Sequence, residues 1–218
     1  MKKDIKIPDS ISTRTEYKRK FSLWEMYRAF IFIPSAAAKM IENKRKKLVD
    51  KDFVERLQLA VTEVNGCAAC SYAHTYMALI QGMSSEEINS FLSGDGTFIN
   101  KNEAKAIIFA QHYADTRGFP KKDAYYSLVD EYGKLKVKII ISAIQLMHAG
   151  NIYGIPYSAL ISRLKGKPYK DSSLLYELGM HIGGIVLFPI TLIDGCLRGI
   201  MGLSKIKLDN SKLNRIYE

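Results

Sequence analysis

Apolar residues recur every three or four positions through most of this 218-residue chain, and nowhere do they alternate for long with the two-residue period of a β-strand. Over residues 50–64, for example, Phe53, Leu57 and Val61 fall on one helical face. Glycines, prolines and capping sequences such as "SSEEINSFL" divide the pattern into separate helical segments. The sequence therefore predicts an all-α fold.

The helix boundaries in the first half of the chain follow from local signals. The apolar pattern predicts that the first long helix starts near Tyr17, and that a later one covers residues 50–64. The dipeptide Asn65-Gly66 readily takes the left-handed geometry that ends a helix. We therefore expect the next helix to start at the cysteines and to run to about Gln81.

The composition changes in the last quarter of the chain. The segment Leu174–Leu203 is rich in Leu, Ile, Gly and Met, and its uncharged run over 182–193 is twelve residues long. A helix that spans a bilayer needs about 20 apolar residues. We therefore expect two short helices flanking Pro189 that pack against protein, with shallow membrane contact as the minority alternative. Glycines four residues apart favour close helix packing there: Gly179, Gly183, Gly195 and Gly199.

These patterns predict three parts. Residues 1–16 form an N-terminal arm, residues 17–168 form a helical domain, and residues 169–218 form an apolar helical extension that packs in the core or in an oligomer interface. The amphipathic helices and the apolar extension together offer more apolar surface than one helical layer hides, which predicts a homo-oligomer.

The charge is concentrated near the N-terminus. The chain has a net charge of +10, and its first fifty residues hold 13 Lys or Arg against 6 Asp or Glu. No aromatic interleaving or nucleic-acid motif accompanies these charges, so solvated helix ends are the favoured interpretation and no nucleic-acid partner is expected. Three cysteines do not form a disulfide framework, and no apolar stretch follows the first charges, so we expect a cytoplasmic protein.

The stretch "EVNGCAACSYAHTYM" is the main candidate for chemistry. As a redox pair, Cys67 and Cys70 would lie in the first turn of a helix, where the helix dipole and free N–H groups stabilise a thiolate. As a zinc site, both cysteines and His74 would need a fourth ligand, with Glu63, Glu55 and the distant His112 as candidates. A buried and inert pair is the third alternative.

The turn at Asn65-Gly66 also predicts which side chains face each other. If the two helices fold back as an antiparallel hairpin, Glu55 comes within about half a turn of the position opposite His74. A carboxylate beside an imidazole fixes the imidazole tautomer and raises its basicity. The hairpin therefore predicts a proton relay from Glu55 through His74 to Cys70, and Glu63 is a candidate second carboxylate beside Cys67.

The sequence "VERLQLAVTEVNGCAACSYAH" resembles the signature of the AhpD-like, carboxymuconolactone decarboxylase superfamily. That signature has a glutamate twelve residues before C-x-x-C and a histidine four residues after it, which Glu55, Cys67, Cys70 and His74 match. The looser likeness runs from about residue 24 to the helix that holds His148 and Asn151. The resemblance implies an all-helical orthogonal bundle, a trimeric or hexameric homo-oligomer, and peroxidase or thiol–disulfide activity.

The family pattern also assigns roles to the two cysteines. In its peroxidase branch the second cysteine attacks the peroxide and the first resolves the product, which here means Cys70 and then Cys67. The relatives best matched to peroxidase activity carry a histidine between the cysteines, where this chain has Ala69. The decarboxylase branch usually lacks the cysteine pair, which disfavours decarboxylation.

The sequence therefore predicts an antioxidant enzyme of the alkylhydroperoxidase type, a thiol-dependent peroxidase or disulfide oxidoreductase with Cys70, Cys67, His74 and Glu55 as catalytic residues. Its substrate would be a hydroperoxide or a disulfide, and its electron donor a protein or lipoyl thiol. No organic cofactor is implied. The alternatives are a non-enzymatic redox sensor, a membrane-surface scaffold and a Cys/His zinc site.

Overall fold

A computed structural model describes residues 7–12, 17–203 and 205–209 of the chain. Within these ranges the structure has nine helices and no β-strand, which confirms the all-α prediction. The helices are α1 (Asp9–Ser12), α2 (Leu23–Phe30), α3 (Ile33–Lys46), α4 (Lys51–Asn65), α5 (Ala68–Gln81), α6 (Ser85–Ser93), α7 (Ala104–Asp115), α8 (Lys122–Leu164) and α9 (Leu174–Ile200).

The helices α4 and α5 form the hairpin that the sequence predicts. The side chain of Asp50 caps α4 by accepting the N–H of Asp52 (2.8 Å). Gly66 ends α4 with a left-handed backbone (φ 72°), and α5 then runs to Gln81, before Gly82. A Cβ at residue 66 would collide with the backbone nitrogen of Lys18, so both the conformation and the space require glycine.

The main core lies between α4, α6, α7 and α8. The predicted buried face of α4 is present, since Phe53, Leu57 and Val61 are all buried. Fully buried side chains of α7 and α8, such as Ile107 and Ile144, pack against it. Burial of side chains of this size stabilises a fold by about 2 kcal/mol each, so this core holds α4 rigidly in place.

The first long helix starts later than the pattern suggested. The prediction of a start near Tyr17 is wrong, because α2 begins at Leu23. Ser22 caps this helix: its hydroxyl accepts the N–H of Glu25, and the Glu25 carboxylate accepts the N–H of Ser22. This reciprocal capping box fixes the start of the helix more strongly than the apolar spacing before it.

The N-terminal segment packs on the body of the protein where it is described. Ile7 and Ile11 are buried and belong to the main core, and α1 contacts α5. The rest of the predicted arm, residues 1–6 and 13–16, lies outside the described residues. The proposed boundaries of the three parts stay predictions.

The long helix α8 consists of two helical pieces that meet at Gly133, whose backbone is not helical (φ 72°, ψ 154°). The β-branched run over 139–141 is helical and buried, as expected from the residues after it. Pro156 lies inside the second piece without ending it. This second piece supplies one wall of the site described below.

The prediction of two short helices around Pro189 is wrong, because α9 is one helix of 27 residues. Pro189 removes one backbone hydrogen bond, but one face of α9 packs on α2, α3 and α8 over much of its length. We attribute the continuity of α9 to this packing. The prediction from the sequence considered only the local effect of proline and not these contacts.

The helix that contains the twelve-residue uncharged run is longer than that run. An 18-residue window of α9 has a mean hydropathy of 1.7, so this helix is long and apolar enough to cross a membrane. The helix α8 passes the same test, although 78% of its window is buried inside the protein. Only 22% of the α9 window is buried.

The outer face of α9 is an exposed apolar stripe without charged residues. We call it the α9 stripe, and it comprises Leu175, Leu178, Ile182, Ile185, Val186, Ile190, Ile193, Leu197 and Ile200, each at least 41% exposed. The helix has three charged side chains: Glu177 pairs with Arg163, Asp194 with Tyr27, and Arg198 with Asp194. The predicted homo-oligomer stays a prediction, and the α9 stripe is the apolar surface that such an assembly would need to cover.

Of the four glycines expected to allow close packing, two do so. A Cβ at Gly183 would collide with the side chain of Leu23, and a Cβ at Gly195 with the carbonyl oxygen of Ile31. At Gly179 and Gly199 a Cβ would meet nothing within 4 Å. The close approach of α9 to α2 and to the start of α3 therefore depends on one glycine of each pair.

Two alanine variants test this packing. Gly195→Ala should lower the free energy of unfolding by about 1–3 kcal/mol, because backbone atoms must move to admit the methyl group. Gly199→Ala, one helical turn later, should leave it unchanged or raise it by up to about 1 kcal/mol, since alanine favours helix. Urea unfolding of both variants measures the difference. Equal stabilities would show that α9 does not pack at Gly195 as described.

Candidate active site

The two cysteines occupy the first turn of α5 in different environments. Cys67 is the N-cap residue, and its sulfur accepts the N–H of Cys70 (3.3 Å). Cys67 is fully buried, whereas Cys70 is partly exposed. The two are joined as a disulfide with their Cα atoms 5.3 Å apart, which lies within the usual range for disulfides. The pair can therefore cycle between thiols and disulfide without large backbone movement.

The second piece of α8 lies directly across the cysteines. The carbonyl oxygen of Gly150 is 3.7 Å from the sulfur of Cys70. A Cβ at Gly154 would lie only 2.8 Å from each of the two sulfurs, so a side chain there would have to displace them. Sequence reasoning missed both residues, and their four-residue spacing on an apolar helix was the available signal.

Glu55 and His74 face each other across the α4–α5 hairpin. The Nδ1 atom of His74 is 2.6 Å from Oε1 of Glu55, whose side chain is buried. In this arrangement the Nδ1–H group of His74 donates a hydrogen bond to the Glu55 carboxylate, which leaves Nε2 as the basic nitrogen. The structure thus brings together the two residues that the hairpin geometry pairs.

His74 and Cys70 line the same pocket, which we call the cysteine pocket. Its volume is about 270 Å³. Its walls come from α4, α5 and α8: Gln58, Ala69, Cys70, Ala73, His74, Leu146, Met147 and Gly150. Ala69 stands in this wall and has no side-chain group that could donate or accept a proton. A small molecule in this pocket would meet the sulfur of Cys70 and the imidazole of His74, with Cys67 buried behind them.

Two other candidates lie elsewhere. The carboxylate of Glu63, the candidate second carboxylate beside Cys67, pairs with the ammonium group of Lys18 (2.6 Å). The Nε2 atom of His112 accepts the N–H of Lys121 (3.0 Å) at the end of α7. No group of three or more His, Cys, Asp or Glu side chains in the described part of the chain could hold a metal ion. The zinc alternative therefore gains no support from the arrangement of these side chains.

A buried polar network fixes the turn before Cys67. The side-chain nitrogen of Asn65 lies 3.3 Å from Nδ1 of His148 and donates to the Asn151 oxygen (3.0 Å). The Asn151 amide in turn donates to the hydroxyl of Thr62 (3.2 Å). These hydrogen bonds join the end of α4 to α8, so they fix the position of the cysteines relative to Gly150 and Gly154 of α8.

His148 is neutral in this network. Burial lowers the pKa of His148 from its usual value of 6.5 to about 4, and the nearby Glu25 carboxylate opposes this effect more weakly. The rings of Phe21 and Tyr113 pack edge-on against the imidazole. These buried aromatic surroundings cannot solvate a charge, so they favour the neutral imidazole.

Fold and site together define an all-α protein with a C-x-x-C pair at a helix N-terminus and a Glu–His pair beside it. Residues 36–111 match the model of the carboxymuconolactone decarboxylase family, and this confirms the resemblance to that family over this segment. The segment contains Glu55, Cys67, Cys70 and His74, while α8 and α9 lie outside it. No curated protein and no solved structure gives a significant match.

The buried His148 predicts a loss of stability in acid. Because its pKa is lower in the folded protein, the unfolded chain binds a proton that the folded protein does not bind between about pH 6.5 and pH 4. Stability should fall as the pH drops through this window, on the order of 3 kcal/mol in total from this residue. Urea unfolding at several pH values measures the loss.

The variant His148→Gln provides the comparison. It should be less stable than the wild type at neutral pH, because it disturbs the buried network, but its stability should fall less between pH 6.5 and pH 4. An equal fall in both proteins would contradict a neutral buried His148.

Proposed function

We propose that the protein is a thiol-dependent peroxidase that reduces hydroperoxides through Cys70 and Cys67, with reduction of a protein disulfide as the related alternative activity. One observation carries the proposal: Cys70 opens onto the cysteine pocket beside His74, while Cys67 is buried within bonding distance behind it. An attacking thiol must reach the substrate, and a resolving thiol only needs to reach the attacking one. The family match to residues 36–111 is consistent with this assignment.

The reaction would proceed in three steps. His74 takes the proton of the Cys70 thiol, and the buried Glu55 carboxylate stabilises the resulting imidazolium. The thiolate attacks one peroxide oxygen, the O–O bond breaks, and the departing alkoxide receives the proton from His74, which leaves Cys70 as a sulfenic acid. The thiol of Cys67 then attacks the Cys70 sulfur, water leaves and the disulfide forms. A dithiol donor, protein-bound or lipoyl, returns two electrons.

The surroundings of the cysteines favour formation of the thiolate and leave room for the substrate. The N-terminus of α5 stabilises negative charge on sulfur, and Gly150 and Gly154 bring α8 against the pair without filling the space in front of it. A cytoplasmic location would keep the donor thiols reduced.

The rival is a non-enzymatic redox sensor or membrane-surface scaffold, and the exposed α9 stripe is the observation that favours it. The two proposals differ in turnover. An enzyme consumes peroxide repeatedly in the presence of a dithiol, whereas a sensor is oxidised once and is not recycled by the donor.

Serine variants of the two cysteines should differ in both peroxide consumption and sulfenic acid formation. In Cys67→Ser, attack on peroxide should leave Cys70 as a sulfenic acid without a partner, and a sulfenate-selective label should modify it. In Cys70→Ser, peroxide consumption should stop and Cys67 should take up little label. Peptide mapping by mass spectrometry locates the label. A labelled Cys67 in a Cys70→Ser protein that still consumes peroxide would reverse the assignment.

The role of the Glu–His pair is tested with two glutamine variants. Glu55→Gln should slow peroxide reduction roughly 10²-fold, since it removes the partner that stabilises the protonated His74. Glu63→Gln is the matched control, because that carboxylate lies on the same helix but pairs with Lys18, and its rate should stay near that of the wild type. Stopped-flow measurement of peroxide consumption gives both rates. Equal slowing in the two variants would point to a general electrostatic effect and contradict the relay.

A further inference from the structure

A second cavity, larger than the cysteine pocket, lies between α8 and α9, and we call it the α8–α9 groove. Its volume is about 490 Å³, which is in the range of small-molecule sites. It is lined by Phe30, Ile33, Leu146, Ala149, Gly150, Tyr153, Gly184, Ile185 and Phe188. Four helices, α2, α3, α8 and α9, therefore contribute to its walls.

The groove offers almost no polar side-chain atom to a ligand. Its one polar lining side chain is Tyr153, whose hydroxyl lies 3.3 Å from Nε2 of His181 and is thereby already paired. The rings of Phe30 and Phe188 meet edge-to-face at 6.0 Å and form an apolar wall. A polar or charged ligand would lose its hydration here without gaining hydrogen bonds. The groove is suited to a purely apolar chain.

The groove joins the cysteine pocket. Leu146 and Gly150 line both cavities, and the Gly150 carbonyl oxygen is 3.7 Å from the sulfur of Cys70. Because residue 150 carries no side chain, nothing from this position separates the two spaces. A ligand that lies in the groove can therefore extend one end to Cys70 and His74.

The groove also borders the apolar outside of the protein. Ile185 belongs both to the groove and to the α9 stripe, and it is 64% exposed. Gly184, next to it, is buried against Tyr153 and Met26, and a Cβ there would lie 2.6 Å from the Tyr153 ring. A glycine at this position lets α9 approach α8 closely at the side of the groove. An apolar molecule can enter from the stripe without crossing charged side chains.

We propose that the α8–α9 groove binds a single long acyl chain, and that the preferred substrate is a long-chain fatty acid hydroperoxide, which carries its hydroperoxide group on a carbon of the chain. This rests on the proposed peroxidase function for the substrate, while the binding of the chain itself does not. The chain lies among the apolar side chains of α8 and α9, and its hydroperoxide group reaches the cysteine pocket. Each methylene group of the chain that is buried in the groove strengthens binding, and short peroxides do not gain this contribution.

The reaction balances as a two-electron reduction. The thiolate of Cys70 takes the terminal oxygen of the hydroperoxide group on the chain, the O–O bond breaks, and the alkoxide left on the chain takes the proton from His74 and becomes an alcohol. Cys67 then forms the disulfide with Cys70 as water leaves. A dithiol reduces this disulfide, so that one hydroperoxide and one dithiol give one alcohol, one water and one oxidised donor.

Binding is tested first, without catalysis. Parinaric acid, a fluorescent long-chain polyene fatty acid, is titrated into the full-length Cys70→Ser protein, and hexanoate serves as the short-chain competitor. Parinaric acid should bind with saturation and hexanoate should not displace it at equal concentration. Absence of saturable binding, or equal displacement by hexanoate, would overturn the groove as an acyl-chain site.

Two matched variants locate the binding. Ile185→Asn places an amide in the groove and should weaken parinaric acid binding about tenfold or more, because the amide must be buried against the chain. Ile182→Asn is the control, since Ile182 has nearly the same exposure on the same helix (61% against 64%) but does not line the groove. Equal weakening in both variants would assign the binding to the α9 stripe and overturn the proposal.

Turnover separates this proposal from the peroxidase function. The ratio of kcat/KM for linoleic acid hydroperoxide to that for tert-butyl hydroperoxide should be large in the wild type and should fall about tenfold in Ile185→Asn alone. Consumption of both peroxides with an equal kcat/KM would overturn the substrate assignment and leave the peroxidase function standing. Binding that depends on Ile185 without consumption of either peroxide would overturn the peroxidase function and leave the acyl-chain site.

Discussion

The left-handed turn at Gly66 is the constraint on which the site depends. It reverses the chain between α4 and α5, so that Glu55 comes opposite His74 and Cys67 becomes the N-cap residue of a new helix. The turn is held from outside, because the backbone of Lys18 occupies the space that a side chain at residue 66 would need. It is also held from inside, where Asn65 joins His148 and Asn151 of α8. A shift of this turn would move all four site residues together.

The close approach of α8 then gives the two cysteines different surroundings. Gly154 allows the helix to lie against both sulfurs, and Cys67 is closed off completely. Cys70 remains open on the side where the cysteine pocket and His74 lie. Packing alone therefore makes two chemically identical side chains differ in accessibility. Cys70 is open to a small molecule, whereas Cys67 can be reached only by Cys70.

The sequence predicts the hairpin well because its signals are local. Helical period, the cap at Asp50 and the glycine at 66 act within a few residues, so the pairing of Glu55 with His74 follows from counting along two helices. The continuity of α9 could not be predicted in this way, since the effect of Pro189 is local but the packing of Gly183 and Gly195 involves α2 and the start of α3, far away in sequence. The prediction placed the start of α2 too early because it followed apolar spacing alone and did not consider the capping box that Ser22 forms with Glu25.

The parts of the site that come from α8 and α9 were out of reach for a similar reason. Nothing in the sequence states that Gly150 and Gly154 lie across the cysteines, because that depends on how α8 crosses the hairpin. The groove between α8 and α9 needs side chains from four helices, and no local pattern brings them together. In the sequence, the glycines and apolar residues of α8 and α9 are equally typical of ordinary core packing.

The most direct test of the account is the reactivity of the two thiols in the fully reduced protein. Iodoacetamide at neutral pH, followed by peptide mass mapping over time, should modify Cys70 well before Cys67, because only Cys70 is open to the pocket. In His74→Gln the modification of Cys70 should slow markedly, while that of Cys67 should not change. Faster modification of Cys67, or an unchanged rate at Cys70 without His74, would contradict the proposed division of roles.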